Sequence, residues 1–406
     1  MCRARNIPDR RFYASNQLSW SIPDSGIAKT GSRDRTSRRR HRPRDTRLYL
    51  RLGPAPVPRA GTRHPHRATF GHEFVGIVEE VGSAVETLKP GDRVLVPFNI
   101  FCGSCFFCDR ELYSNCHNVN PEATAVGGIY GYSHTTGGYD GGQAEFVRVP
   151  MADVGPYKVP EDIVDDDAVL LTDALPTGYQ AAEMADIHEG DTVVVFGAGP
   201  VGIFAARSAW LFGAGRVIVV DHIDYRLDFV RRYAPAEVIN FREVGDVALQ
   251  IKKMTDWLGA DACIDAVGCE ASGSLAQTVT GRWTMLQAGA ATALFWAINS
   301  VRKAGNVSIV GVYGPTFNAV PIGNALNKGI TMRMNQAAVK RHVPHLIEHI
   351  RQGHLNPKEI ITHRVPLEEA SDAYHIFSSK YDHCIKPVLI PPRAGSARSM
   401  ATSVIH

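Results

Sequence analysis

Residues 192–221, TVVVFGAGPVGIFAARSAWLFGAGRVIVVD, admit very few folds. An unbroken apolar, β-branched run leads into Gly197, Gly199 and Gly202, a helix-competent stretch follows, and a second apolar run ends at Val220-Asp221. Strands buried on both faces read as continuous hydrophobic runs, so the segment predicts one βαβ unit of a parallel sheet. The turn matches G-x-G-x-x-G between a strand and a helix, with an acidic residue about twenty positions on, which is the dinucleotide pattern. Gly197 permits the tight turn and Gly199 lets a pyrophosphate approach the backbone. Pro200 and Val201 complete the phosphate-facing turn, Gly202 lets helix and strand pack closely, and the helix N-terminus faces the phosphates. Asp221 suits ribose hydroxyls and repels a 2′-phosphate, which favours NAD over NADP; His222 and Arg226 soften that preference.

The alternation continues in AEVINF, ADACIDAV and NVSIVGVYG, so the open sheet is expected to run to about residue 325. VPHLIEHIRQG and LEEASDAYHIF then carry helical apolar spacing, and CIKPVLIP reads as a closing strand. Upstream, FVGIVEEVGSAV, RVLVPF and QAEFVRVP are short β runs broken by turns such as Lys89-Pro90-Gly91-Asp92, as in a small β-rich domain. The Gly-rich stretch 137–142 calls for unusual backbone conformations. At 406 residues the chain suits two to three domains, and no apolar run approaches the roughly 18 to 20 residues that span a bilayer.

Within the β-rich part, Cys102, Cys105, Cys108 and Cys116 have the spacing that places four thiolates around one tetrahedral Zn²⁺. Cysteines this close in a tight loop are badly placed to pair with one another. A closed shell of four thiolates leaves no position for substrate, so this site is structural. The remaining cysteines, Cys2, Cys263, Cys269 and Cys384, are scattered, which fits a reducing compartment and a cytoplasmic protein.

The overall charge of +3 hides an asymmetry: residues 1–67 hold sixteen Arg and Lys29 against four Asp, a net of +13, while the rest carries −10. That segment has Pro and Arg in place of any apolar period, so no helix or strand is expected in it. A nucleic-acid-binding tail lacks an accompanying aromatic or base-contact motif here. A transit peptide shares the Arg-rich, acid-poor composition. Aberrant, out-of-frame translation of an ordinary domain start accounts best for Arg-dominated basicity and for the abrupt onset of orderly sequence near Thr69.

Gly71-His72-Glu73, the four-cysteine loop and the glycine turn, in that order, resemble the zinc-dependent medium-chain alcohol dehydrogenase family over about residues 69–391. LTDALPTGYQAA, GYSHTTGGYDGGQAEFVRVP and ITHRVPLEEASDAYHIF look most like its glutathione-independent formaldehyde dehydrogenase and dismutase branch. The resemblance implies an α/β architecture: a doubly wound Rossmann sheet plus a GroES-like catalytic domain with a zinc lobe. The expected division is 1–67 aberrant segment, 68–180 catalytic domain with lobe 101–117, 181–328 NAD domain, 329–391 return to the catalytic domain, and 392–406 tail. His72 is then a ligand of a catalytic zinc, Glu73 a neighbouring or transient ligand, and Asp173 the third; read without the family, Asp173 is a helix N-cap.

The implied reaction interconverts a small alcohol and an aldehyde, hydrated formaldehyde among them, with NAD as hydride carrier. A polyol or amino-alcohol substrate, and dismutation on a retained NAD, stay open. The family's first catalytic ligand is a Cys lying some twenty or more residues before the GHE motif. This chain has no Cys between Cys2 and Cys102, which leaves the catalytic zinc set one ligand short and makes a non-catalytic NAD-binding protein the rival reading. The family also implies a homo-oligomer, a dimer or tetramer, with no nucleic acid or membrane partner.

Overall fold

The computed structural model describes residues 14–15, 48–51, 69–123, 126–267, 291–313 and 320–392. The first half is a β-rich unit. Strands β1 (Ala14–Ser15), β2 (Leu48–Arg51), β3 (Glu73–Val81), β4 (Arg93–Val96), β7 (Phe146–Val149) and β8 (Tyr157–Lys158) share one sheet, while β5 (Asn99–Ile100) pairs with β6 (Gly128–Ile129) beside it. Helices α1 (Asp165–Leu170) and α2 (Ala174–Met184) lead out of this unit.

The second half is a six-stranded parallel sheet ordered β11-β10-β9-β12-β13-β14. Its strands are β9 (Thr192–Phe196), β10 (Arg216–Asp221), β11 (Glu237–Asn240), β12 (Ala260–Asp265), β13 (Val301–Ile309) and β14 (Thr331–Met334). The order reverses between β9 and β12, which makes the crevice outside their carboxyl ends the expected ligand site. Helices α3 (Pro200–Leu211), α4 (Asp224–Tyr233), α5 (Val247–Met254), α6 (Thr292–Ser300) and α7 (Ile322–Lys328) accompany these strands. Val193, Val194, Val195, Ile218, Val219 and Ile264 are fully buried, which is why β9, β10 and β12 read as continuous apolar runs. Each such side chain contributes about 1.5–3 kcal/mol by leaving water.

Helix α8 (Val339–Arg351) then packs on α2, and β15 (Ile361–Pro366), α9 (Ala370–Ser378) and β16 (Lys386–Ile390) return the chain to the first sheet, where β16 pairs with β1 and β15. Among the described residues no helix is long and apolar enough to cross a membrane.

Two expectations need correction. The Arg-rich segment contributes strands: β2 lies between β3 and β7, with Leu48 opposite Val81 and Val149, and Ser15 of β1 stands opposite Glu73. Pairing on both flanks outweighs composition for a run such as Leu48-Tyr49-Leu50. The parallel sheet also continues past residue 325, because β14 pairs with β13. As a four-residue, mostly exposed edge strand rich in Met and Arg, β14 carries no apolar pattern from which to read it. The remainder of residues 1–67, with Cys2, and the tail from residue 393 lie outside the described residues.

Candidate active site and zinc lobe

The GHE turn enters β3 with its side chains directed inward. His72 is 6% exposed and Glu73 is fully buried. The turn is held from outside by the Gly-rich stretch: Gly141 N donates to Thr69 O (2.8 Å) and Gly142 N donates to Gly71 O (2.7 Å). A Cβ on Gly141 would stand 2.2 Å from Gly71 O, so close backbone approach is one requirement that the glycine run meets.

Asp173 precedes α2 and is buried beneath the turn. Its side chain makes no capping bond to the helix backbone. Instead Oδ1 accepts a hydrogen bond from the Thr177 hydroxyl (2.7 Å) and Oδ2 stands 3.0 Å from His72 Nε2. Burial pushes the Asp173 carboxyl up, but His72, Thr177 and nearby Lys386 outweigh it and hold the group below the usual carboxylate range. Glu73 completes the set, its donor atoms lying within 4.8 Å of those of His72 and Asp173. The rings of Phe98 and Tyr132 flank His72 at 5.7 and 6.4 Å.

Sequence reasoning missed Lys386. Its Nζ lies 2.5 Å from Glu73 Oε2 with both side chains completely buried, which ties β16 to the start of β3. A lone lysine inside an apolar closing strand was the available signal, since such a charge must be paired if buried. Thr177, one helical turn beyond Asp173, was missed as well.

These residues suit a cation. Two ligands on a tetrahedral zinc with bonds of about 2.0–2.1 Å stand about 3.3 Å apart, close to the observed separation of His72 Nε2 and Asp173 Oδ2. The donor set of one imidazole and two carboxylates leaves a coordination position for a substrate oxygen.

The four cysteines form a second cluster, with Sγ separations of 3.6 Å for Cys105–Cys108, 3.9 Å for Cys105–Cys116 and 4.0 Å for Cys102–Cys108. Thiolates on a tetrahedral zinc with bonds of about 2.3 Å stand about 3.8 Å apart, so the lobe fits that ion and no disulfide. Backbone and side-chain donors soften the thiolate charge: Cys102 N donates to Cys116 Sγ (3.3 Å) and Asn118 Nδ2 to Cys102 Sγ (3.3 Å). Burial pushes the Cys108 thiol up to about 12 and raises Cys116; Cys105, although burial opposes it, is brought down to about 6 by donors from Cys108, His117 and Phe107.

The glycine turn sits at the carboxyl end of β9. Gly197 has φ +99°, and a Cβ on Gly202 would stand 1.9 Å from Gly197 O, so helix α3 starts where only glycine allows it. Gly199 occupies the N-cap, followed by Pro200 and Val201 in the first turn, so the free amides of α3 point into the crevice. Asp221 ends β10; Oδ2 accepts from Ala198 N (2.6 Å) and Oδ1 from His222 N (2.6 Å) and Ile223 N (3.1 Å). Burial raises its carboxyl, and these donors with Arg226 more than reverse that, so Asp221 keeps its charge. Arg226 is 6% exposed and packs over Phe377, its guanidinium near Gly199, with Nε and Nη2 lacking a partner among the described residues. These residues fit a dinucleotide.

Known proteins share this fold. Residues 43–161 match the alcohol dehydrogenase GroES-like domain and residues 200–285 match the zinc-binding dehydrogenase family. An uncharacterized zinc-type alcohol dehydrogenase-like protein of Bacillus subtilis (strain 168) is 43% identical over 79% of this chain and 85% of that protein. A glutathione-independent formaldehyde dehydrogenase of Pseudomonas aeruginosa is 37% identical over 71% of this chain and 70% of that protein. Among solved structures, the alcohol dehydrogenase TADH from Thermus sp. ATN1 superposes with a TM-score of 0.69 at 30% identity, covering 89% of this chain and 98% of that one.

Proposed function

The chain belongs to the zinc-binding alcohol dehydrogenase family, and from that premise we propose that it interconverts a small alcohol and its aldehyde, formaldehyde or its hydrate foremost. It is a zinc-dependent oxidoreductase of the alcohol dehydrogenase type, with zinc and NAD as its cofactors. The observation that carries the substrate proposal is the pairing of His72 with Asp173 at 3.0 Å beside Glu73, in a chain 37% identical over 71% of its length to the formaldehyde dehydrogenase of Pseudomonas aeruginosa.

His72, Asp173 and Glu73 would hold the zinc, which would supply Lewis acidity toward an alcohol or carbonyl oxygen, and the glycine turn would hold NAD, the hydride acceptor. The protein's own residues arrange the rest. Asp173, kept ionised by His72 and Thr177, offers a charged oxygen to the site, and Lys386 fixes the Glu73 carboxylate. Phe98 and Tyr132 narrow the space beside His72, which suits a small substrate. The turn 197–202 and Asp221 orient the dinucleotide. By the same reasoning we take the chain to be cytoplasmic, with its parallel-sheet half beginning near residue 181 and reaching through β14, and assembled as a dimer or tetramer through that half, whose edge strand β14 exposes Met334.

A second reading, a non-catalytic NAD-binding protein, is favoured by one observation: no Cys occurs between Cys2 and Cys102 to complete the usual ligand set. Zinc content of the purified chain separates the two. Two zincs per chain, with NADH formed from a small alcohol or formaldehyde and lost in Asp173→Ala while NADH binding persists, support the dehydrogenase. One zinc, confined to the cysteine lobe, refutes it.

A further inference from the structure

Asp265 is a buried acid with no part in the chemistry above. It is the last residue of β12, fully buried, facing Phe196 of β9 on one side and Ile309 of β13 on the other. Four groups converge on it. Its backbone oxygen accepts from Val310 N (3.0 Å) and Gly311 N (2.9 Å), Oδ1 accepts from Val267 N (3.1 Å), and Oδ2 accepts the hydroxyl of Tyr313. Gly311 allows this closeness, since a Cβ there would stand 2.6 Å from Val267 O and 3.0 Å from Asp265 Oδ1. Asp265 thus fastens the segment after β13 to the end of β12, through its backbone oxygen at Val310 and Gly311 and through its carboxylate at Tyr313.

The position of this fastening gives it meaning. The pyrophosphate belongs at the glycine turn beyond β9, and the adenosine ribose at Asp221 beyond β10. The other half of a dinucleotide must then extend across the reversal of strand order, beyond β12 and β13. Residues 266–267 and 310–313 form that edge, and Ala266 O lies 3.0 Å from where a Cβ of Gly197 would be, next to the phosphate turn. Val312, between the fastened Gly311 and Tyr313, is 45% exposed, an apolar side chain presented at the sheet edge. We propose that the Asp265–Tyr313 hydrogen bond positions residues 310–313 as the nicotinamide-side wall of the dinucleotide site, and that Tyr313 is a positioning residue for that half of the cofactor. Burial pushes the Asp265 carboxyl up to about 6, so near neutral pH it is an anion and a strong acceptor for the phenol.

The inference rests on NAD binding at the glycine turn, and the test keeps the two apart. NADH and ADP-ribose, which lacks the nicotinamide, are titrated against the zinc-loaded wild type and against Tyr313→Phe and Asp265→Asn, with melting curves as a check of folding. NADH affinity is expected to fall about tenfold in Tyr313→Phe, the bound NADH emission to shift toward that of free NADH, and ADP-ribose affinity to stay unchanged. Equal effects on both ligands, no effect on either, or unfolding of both variants would make the pair a structural strut and overturn the proposal. Failure of the wild type to bind either ligand would instead refute the dinucleotide reading itself.

Discussion

Replacing Lys386 with Met removes the cation that faces Glu73 and leaves a fully buried carboxylate beside His72 and Asp173. The two side chains are 0% exposed and 2.5 Å apart, so solvent screens neither. Deleting one partner of such a pair costs about 3–5 kcal/mol, mainly because the surviving charge is stranded, whereas replacing both partners by apolar groups of similar volume is near neutral. With a urea dependence of about 3 kcal/mol per M, Lys386→Met should lower the unfolding midpoint by about 1 M or more. The double variant Lys386→Met/Glu73→Leu should recover most of that loss, a coupling of at least about 2 kcal/mol. Urea titrations of the four proteins in the cycle, repeated under chelator so that metal linkage at the neighbouring site cancels, measure it. A midpoint for Lys386→Met within about 0.3 M of the parent, or a double variant that is simply the sum of the singles, would refute the buried-pair argument.

Three further outcomes follow from other parts of the structure. His342, 2% exposed on α8 and 3.2 Å from Gln180 Oε1, is held neutral by burial, its imidazole down at about 4. The folded state then binds fewer protons than the unfolded one between about pH 6.5 and 4, so stability should fall by about 2 kcal/mol from about pH 7 to about pH 5. His342→Gln should flatten that part of the urea-midpoint profile, and an unchanged slope would contradict it. Zinc entering the cysteine lobe at neutral pH should displace protons from Cys108 and Cys116, giving calorimetric heats that differ between buffers of different ionisation enthalpy; equal heats would count against thiolate capture. Gly202→Ala places a methyl 1.9 Å from Gly197 O, so the turn must shift and NADH affinity should drop at least about tenfold by fluorescence titration, and retained affinity would mean that the turn is not the phosphate site.

What could be read from the sequence follows from the range of the forces involved. The βαβ unit and the cysteine loop are local: glycine stereochemistry and four thiols within fifteen residues define them before any tertiary contact forms, and the structure keeps both as read. The candidate metal set is not local. His72 and Asp173 are 101 positions apart, and only the family resemblance joined them; read alone, Asp173 was a helix cap, a bond it does not make. Lys386 and Tyr313 gave only half of their message for the same reason, since a lysine or tyrosine in an apolar run announces a partner without saying which strand will supply it. The misreading of β2 was of another kind. Net charge and proline content average over the whole Arg-rich segment, while four residues between two ready strand edges need only backbone partners and a place for alternate side chains. The match of residues 43–161 to the GroES-like domain likewise begins inside that segment, so its later part is sequence of the domain even though the usual catalytic cysteine is missing from it. The sheet holds the backbone of His72 and Glu73 in place whatever the first ligand is, so the metal content of the candidate site, and not its fold, decides between the two readings.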